Sequence, residues 1–226
     1  MITLQIASLK QRESSLKVAI ASLIDQVDKI RIACNEYPEI PDWMRHNPKI
    51  EGIRKKNELM DGERFVLNET NEGYILFCDD DLKYPPDFVD TMIKHLDSLA
   101  HPAIISIMGA NLCRPLKSYH NDQQEYYSAV GYISKMHEVE MIGMCGAITH
   151  SSYFKMTTKD IKVMNSDINT SVYCKNNGIK KYVVPHRADW CEDLMKTLPP
   201  DSFTVWNYNK PRSNDQVITK FINENF

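Results

Sequence analysis

The chain has 226 residues, 42% of them hydrophobic and 25% charged, an ordinary globular balance with room for one large domain or two small ones. A net charge of −3 supplies no global field toward nucleic acid, and no apolar run approaches the length of a membrane span. No secretory leader is legible at the start, and the six cysteines (34, 78, 113, 145, 174 and 191) form no C-x-x-C pair, so composition predicts reduced, buried thiols in a cytoplasmic protein, without disulfides or a zinc site.

Ile2 to Ala7 reads as a short strand, followed by a polar loop, Ser8 to Glu13. Ser14 or Ser15 is placed to cap a helix whose apolar positions Leu16, Ala19, Ile20, Leu23 and Ile24 share one face. Val27 to Cys34 is a second strand, ended by Asn35-Glu36-Tyr37-Pro38. A strand-helix-strand unit of this kind predicts two parallel strands with a right-handed crossover. Residues 38–57 show no clear pattern. A short helical piece follows Gly62-Glu63-Arg64-Phe65. A helix from about Pro86 to Leu99 turns Phe88, Met92, Ile93, Leu96 and Leu99 inward, and Ala103 to Met108 is a strand. Asn111 to Tyr127 has no period and reads as a loop. Glu138 to Ile148 is apolar, with Gly143 and Gly146 allowing close backbone approach. Asn165-Ser166 caps a helix from Asp167 to about Asn176, Gly178 stops it, and Ile179 to Val184 is a strand. Thr204 to Tyr208 reads as a short strand or ordered loop, and Ser213-Asn214-Asp215-Gln216 has the pattern of a capping box opening a last helix.

The most informative stretch is Tyr74 to Asp87. Five apolar residues, Tyr74-Ile75-Leu76-Phe77-Cys78, run without a polar break and read as a strand buried on both faces. Asp79-Asp80-Asp81 follow at once, and Pro85-Pro86 leads into a helix. Open α/β sheets place ligands where a strand delivers such residues at its carboxyl end. Strand alternation would point Asp79 and Asp81 one way and Asp80 the other. Carboxylates so close repel unless a cation sits between them, and a hard divalent ion completed by substrate phosphates answers that need. The bland alternative is a solvated acidic turn.

These features resemble the glycosyltransferases of the GT-A fold, in particular the inverting family 2. The resemblance spans about residues 1–190 and is carried by the opening strand-loop-helix, Cys34-Asn35, Gly62-Glu63-Arg64, the D-x-D-like Cys78-Asp79-Asp80-Asp81 with Tyr84-Pro85-Pro86-Asp87, Gly143 to His150, Ser166-Asp167-Ile168 and His186 to Trp190. It departs from the family pattern in the first loop (Ala7-Ser8-Leu9-Lys10-Gln11-Arg12), in the single acid Asp167 after Ser166, and in lacking the Gln-x-x-Arg-Trp motif of processive synthases.

The resemblance implies an α/β, Rossmann-like fold with a mixed, mostly parallel sheet flanked by helices. It implies one domain over 1–226, with a nucleotide-sugar half to about 110 and an acceptor half beyond. Asp81, with Asp79 and His186, would hold Mn2+ or Mg2+. Ser8, Arg12, Asn35, Arg64, Asp79 and Asp80 would bind the donor, a UDP-sugar before TDP or GDP. Asp167 would be the general base of an inverting transfer. Gly143 to Gly146 would floor the acceptor site, and Trp190 would face the acceptor sugar. A bacterial surface glycan is the expected acceptor. A second reading is a bacteriophage-type enzyme that glycosylates hydroxylated DNA bases, for which Lys10, Arg12, Arg114, Lys117, Lys180, Lys181 and Arg187 would have to form a basic stripe. A third is an inactive relative used as a binding or scaffold module. Receiver and P-loop folds lack their acids or glycines here, and a nucleotidyltransferase lacks its basic glycine-rich loop.

Overall fold

The computed structural model describes residues 1–195 and 204–226. In chain order the elements are β1 (Ile2–Leu9), α1 (Glu13–Leu23), β2 (Lys29–Asn35), α2 (Asp42–Arg45), β3 (Ile50–Lys55), β4 (Tyr74–Phe77), β5 (Leu82–Lys83), α3 (Phe88–Asp97), β6 (Ala103–Ser106), β7 (Gly109–Leu112), β8 (Gln123–Tyr127), β9 (His137–Glu138), β10 (Met141–Ile142), β11 (Ala147–His150), α4 (Ser166–Asn176), β12 (Lys180–Val183), β13 (Glu192–Asp193), α5 (Val205–Asn209) and α6 (Arg212–Asn225). The main sheet has the order β3-β2-β1-β4-β11-β6-β12-β9. The strands β3, β2, β1 and β4 are mutually parallel, as are β6 and β12, whereas β11 and β9 run antiparallel to their neighbours. The fold is therefore the mixed, mostly parallel α/β sheet that the sequence implies.

The apolar periods explain the packing. Leu16, Ala19, Ile20 and Leu23 of α1 are buried, as are Phe88, Met92 and Leu96 of α3, beneath a β4 whose Ile75, Leu76 and Phe77 are fully covered. Leu4, Ile6, Ile30, Ile32, Leu76 and Phe88 belong to one apolar cluster, and Phe65, Phe77, Phe154 and Val183 to another. All six cysteines are free thiols, and five are buried. No described helix is long and apolar enough to cross a membrane.

Several local expectations are corrected. The helix α1 starts at Glu13, after a tight turn over Lys10–Arg12, without a side-chain cap; Ser15 Oγ instead donates back to Arg12 O at 3.0 Å. The unpatterned segment after Pro38 forms α2 and the edge strand β3. The supposed loop 111–127 contains most of the antiparallel pair β7 and β8. Thr204 to Tyr208 is no strand: Thr204 caps helix α5, its Oγ1 accepting from Asn207 N. The helix α6 begins after Pro211, not at a capping box: Ser213 already lies inside its first turn, no side chain caps it, and Asp215 Oδ1 accepts from His120 N. The Asn165 cap is as expected, its Oδ1 accepting from Ile168 N at 3.0 Å.

Candidate active site

From β1 the chain runs outward through β2 to β3 and then returns to place β4 on the opposite side of β1. The loops leaving β1 and β4 diverge, and a crevice opens at the carboxyl ends of the strands. Register brings Leu9 level with Asn35, and Gln5 level with Phe77. Ser8, Asn35 and the acids after β4 therefore share one sheet edge. They line a cleft of about 330 Å³, together with Arg12, Arg64 and, from the other side, Asp167.

The acids are neutralised by two guanidiniums. Arg64, 4% exposed, pairs with Asp79 Oδ1 at 2.7 Å and donates to the carbonyls of Asp61 (3.0 Å), Met144 (3.0 Å) and Cys78 (3.4 Å). Burial works against its charge, but Asp79 and Asp61 outweigh burial and hold its pKa above the ordinary value. Arg12 Nη2 lies 2.6 Å from Asp80 Oδ1 and 2.7 Å from Asp81 Oδ2. Here too burial is outweighed, by Asp80 and Asp81, and the Arg12 pKa is raised. Ser8 Oγ donates to Asp80 Oδ2 at 2.5 Å. Asp80 is nonetheless pushed up to about 7, because the cost of burying its charge exceeds what Arg12 and Ser8 return. Burial also raises Asp81, and the neighbouring charge of Asp79 adds to the effect.

On the far side, Asp167 sits in the first turn of α4 and its Oδ1 accepts from Met144 N at 2.9 Å. Among the described residues no donor reaches Oδ2. Burial, then the charges of Asp61 and Asp79, push Asp167 up to about 7, against the opposing Met144 N–H and Arg64. Ser166, one residue earlier, donates both its N–H (3.0 Å) and its hydroxyl to Asp61 Oδ2, tying α4 to the turn that carries Arg64.

No family model matches this chain, and no curated protein matches it. Among solved structures, the chain superposes on GalNAc-T7, crystallised with UDP, GalNAc and Mn2+, with a TM-score of 0.54 and 7% identity, covering 84% of this chain. The fold is GT-A. This chain spans 44% of the GalNAc-T7 chain, so the likeness concerns its fold alone. A mycobacterial protein of solved structure aligns over 98% of this chain and 72% of its own, at 13% identity and a TM-score of 0.49.

Within this GT-A frame, Ser8, Arg12, Asn35, Arg64, Asp79, Asp80, Asp81 and Asp167 all line the cleft, and so does Gly143. The expected alternation of the three acids fails: β4 ends at Phe77, the acids lie in the following turn, and Asp80 and Asp81 share Arg12 while Asp79 takes Arg64. His186 is not brought to the acids. It is buried, its Nε2 lies 3.1 Å from Ile107 O and its Nδ1 3.2 Å from Arg187 O, so the ring lies between two backbone carbonyls, to one of which a neutral imidazole donates. Trp190 is a core residue, packed on Phe88 and stacked on His186, with its indole N–H on Asp87 Oδ1.

Two carboxylates of the GT-A cleft, Asp79 and Asp81, offer hard oxygen donors, and Asp81 feels the further negative charge of Asp193, whose neighbour Leu194 donates its N–H to Asp81 O at 2.8 Å. Among the described residues no three His, Cys, Asp or Glu side chains form a closed cage. Two carboxylates, each with one oxygen paired to an arginine, leave a donor set that would fit Mg2+ or Mn2+ when substrate phosphates complete it, and does not fit a metal held wholly by protein. Sequence reading missed Asp61, Tyr119, Tyr126 and Asn165 in the cleft. Asp61 stands directly before the Gly-Glu-Arg motif, with no signal of its own in the sequence, and the tyrosines lie in a stretch without period.

Proposed function

We propose that this chain is a glycosyltransferase that moves one sugar from a nucleotide sugar, with UDP the favoured nucleotide, to an acceptor hydroxyl with inversion. One observation supports the reading: Asp167, with an oxygen that no donor among the described residues reaches, faces the same cleft as the acid triplet and its two arginines. The half to about residue 110 would hold the donor and the remainder the acceptor.

Each residue then has a task. Asp81, with Asp79, would hold Mn2+ or Mg2+, which when bound neutralises charge on the departing diphosphate. Arg12 and Arg64 supply cationic donors beside it. Asn35 donates its amide to Asn57 Oδ1 (3.1 Å) and Met60 O (2.9 Å), which fixes its orientation and leaves its Oδ1 buried without a donor among the described residues. Asp167 would take the acceptor's proton. The acceptor oxygen bonds to the anomeric carbon, and the bond from that carbon to the diphosphate oxygen breaks with its electron pair leaving on UDP.

A glycan acceptor is favoured over DNA. Of the basic stripe that DNA would need, Arg12 is committed to Asp80 and Asp81, Lys10 to Glu13, Arg114 to Glu140 and Lys180 to Glu138, while Lys181 is buried. An inactive scaffold would not need Asp167 held with a free oxygen. Thermal shift and calorimetry with UDP, TDP and GDP, each with Mn2+ and with EDTA, test the reading. UDP with Mn2+ is expected to stabilise the protein and chelator to abolish the effect. Full UDP binding and transfer in EDTA would remove the metal, and no binding of any nucleotide would remove the enzyme.

A further inference from the structure

The helix α4 carries Asp167 in its first turn, where the N–H groups need acceptors from outside the helix ladder. Asn165 serves Ile168 N through its side chain at 3.0 Å and Asn169 N through its carbonyl at 3.3 Å. Both bonds lie within residues 165–169, so they start the helix without fixing its place relative to the cleft. Ser166 N is served from elsewhere. Its acceptor is Asp61 Oδ2, at 3.0 Å, and the same oxygen accepts the Ser166 hydroxyl. Asp61 belongs to the turn Met60–Phe65, lies 105 residues before Ser166, and lines the cleft with Asp167.

That turn is itself anchored at the cleft. Asp61 O accepts from Arg64 Nε at 3.0 Å, Arg64 pairs with Asp79, and Met60 O accepts from the Asn35 amide at 2.9 Å. Gly62 lies against the segment that leads into α4, where a Cβ would meet the Ile161 side chain at 3.1 Å. Asp167 is thus gripped at two points. Met144 N fixes its side chain through Oδ1, and Asp61 fixes its backbone through Ser166. With both points set, the second carboxylate oxygen has little freedom to turn. After burial, the charge of Asp61 is the strongest influence raising the Asp167 carboxyl, so the two acids sense one another across the cleft floor. Asp61 Oδ1 is shut from solvent and meets no donor among the described residues, which leaves Ser166 as the partner of this side chain.

We infer that Asp61 is a positioning residue for Asp167: by holding Ser166 it sets where the first turn of α4 stands, and so where Asp167 presents its second oxygen to the cleft. This inference rests on the glycosyltransferase reading above and adds a residue that works through Asp167 and not on the substrate. Misplacing a reacting group by about 1 Å can cost about a hundredfold in rate, even when the change is remote from the chemistry. The hold on Ser166 is therefore a point where lost hydrogen bonding becomes lost turnover.

Two variants of the full chain test it, Asp61→Ala and Asp61→Asn. Asparagine keeps a carbonyl oxygen for Ser166, and alanine keeps none. The first readout needs no turnover: hydrogen exchange of the Ser166 amide, followed by NMR on folded protein. Exchange is expected to be about tenfold faster in Asp61→Ala and within about threefold of wild type in Asp61→Asn. The second readout is UDP release with Mn2+ from UDP-glucose, UDP-galactose and their N-acetyl forms, with water standing in for the acceptor and giving its proton to Asp167. Well above the titration of Asp167 near 7, kcat is expected to fall roughly ten- to hundredfold in Asp61→Ala and to stay within about threefold in Asp61→Asn. The donor KM and the calorimetric affinity for UDP with Mn2+ should hold within about twofold in both. Unchanged Ser166 exchange or unchanged kcat in Asp61→Ala overturns the inference. So does an equal loss of kcat in the two variants, or a loss confined to donor KM. If the wild type binds UDP but hydrolyses none of the four sugars, the exchange of Ser166 alone decides. In each of these cases UDP binding survives; if the wild-type chain binds no nucleotide, the underlying reading fails instead.

Discussion

On one side of the cleft Arg12 pairs with Asp80 and Asp81 at 2.6 and 2.7 Å and Arg64 with Asp79 at 2.7 Å, whereas the lining residues Met108, Ala110, Met141, Ile142 and Gly143 carry no charge, and Asp167 is the acid beside them among the described residues. The first wall is tightly paired, and admitting a diphosphate and a cation there means exchanging existing ion pairs for new ones. The second wall has nothing to exchange. Its contribution is shape, an apolar surface and one carboxylate with an available oxygen. Donor affinity should accordingly respond to metal and charge.

The largest effect should come from the point where the walls meet. Asp167→Asn keeps the acceptor for Met144 N and removes the base, and turnover should fall by about 10²–10⁴ with the fold intact by circular dichroism. Near wild-type turnover would reassign Asp167 to a role in α4 alone. Next is Arg64→Met. It leaves Asp79 and Asp61 without their shared cation in a buried setting, where losing one partner costs about 3–5 kcal/mol. Because Asp79 is partly exposed, the lower end is expected in urea unfolding. A loss below about 1 kcal/mol would show that the pair is solvent-screened.

Arg12→Ala separates pairing from metal binding. Without Arg12, Asp80 and Asp81 repel, and the protein alone should lose roughly 1–3 kcal/mol. Mn2+ without nucleotide should then raise the melting temperature more in the variant than in wild type, because the ion occupies the charge that Arg12 held. An equal or smaller shift would mean that Arg12 does not compete with the ion. The pH response has a definite sign. Asp80 and Asp167 both titrate near 7, above the ordinary carboxylate value. Between about pH 4 and 7 the native state holds protons that the unfolded state has released, so stability without metal should fall as pH rises through that window. Below it the trend reverses, since hydrogen bonds from Lys10, Trp43 and Lys17 overcome burial and hold Glu13 at about 2, a contribution lost on acidification. Activity runs the other way, with kcat/KM rising toward an acid limb near 7 as Asp167 ionises. A profile flat across that range would exclude Asp167 as the titrating base.

The two walls also differ in how far they were legible in the sequence. The acidic wall is built from strand ends, and strand ends announce themselves: an unbroken apolar run into Asp79-Asp80-Asp81, the polar residue Ser8 near the end of β1, Asn35 closing β2. Parallel pairing then brings those positions to one edge. The apolar wall comes from β7, β8 and β10, short strands whose register depends on partners far along the chain. Tyr119 and Tyr126 lie in a segment interrupted by Arg114-Pro115 and Lys117-Ser118, so no period marks the strands around them. Details within the acidic wall were equally hidden. Which acid meets which arginine depends on turn geometry after β4, and Asp61 is defined by Ser166, more than a hundred residues away.

The smallest effect expected is also the one that tests a residue left outside both walls. A histidine after a strand end is a natural candidate for a third metal ligand, and His186 follows Val183-Val184-Pro185. Its imidazole instead lies between Ile107 O and Arg187 O and is stacked on Trp190, while its backbone pairs with Ile133. His186→Gln preserves a donor of similar reach, so a stability loss of about 1–2 kcal/mol is expected from imperfect hydrogen bonding and lost stacking. The Mn2+ concentration giving half-maximal stabilisation in the presence of UDP should not move by more than about twofold, because the carboxylates that fit the ion do not depend on this ring. A tenfold or greater weakening of Mn2+, in a variant that melts normally without metal, would return His186 to the ion and require the loop after Pro185 to move when the donor binds.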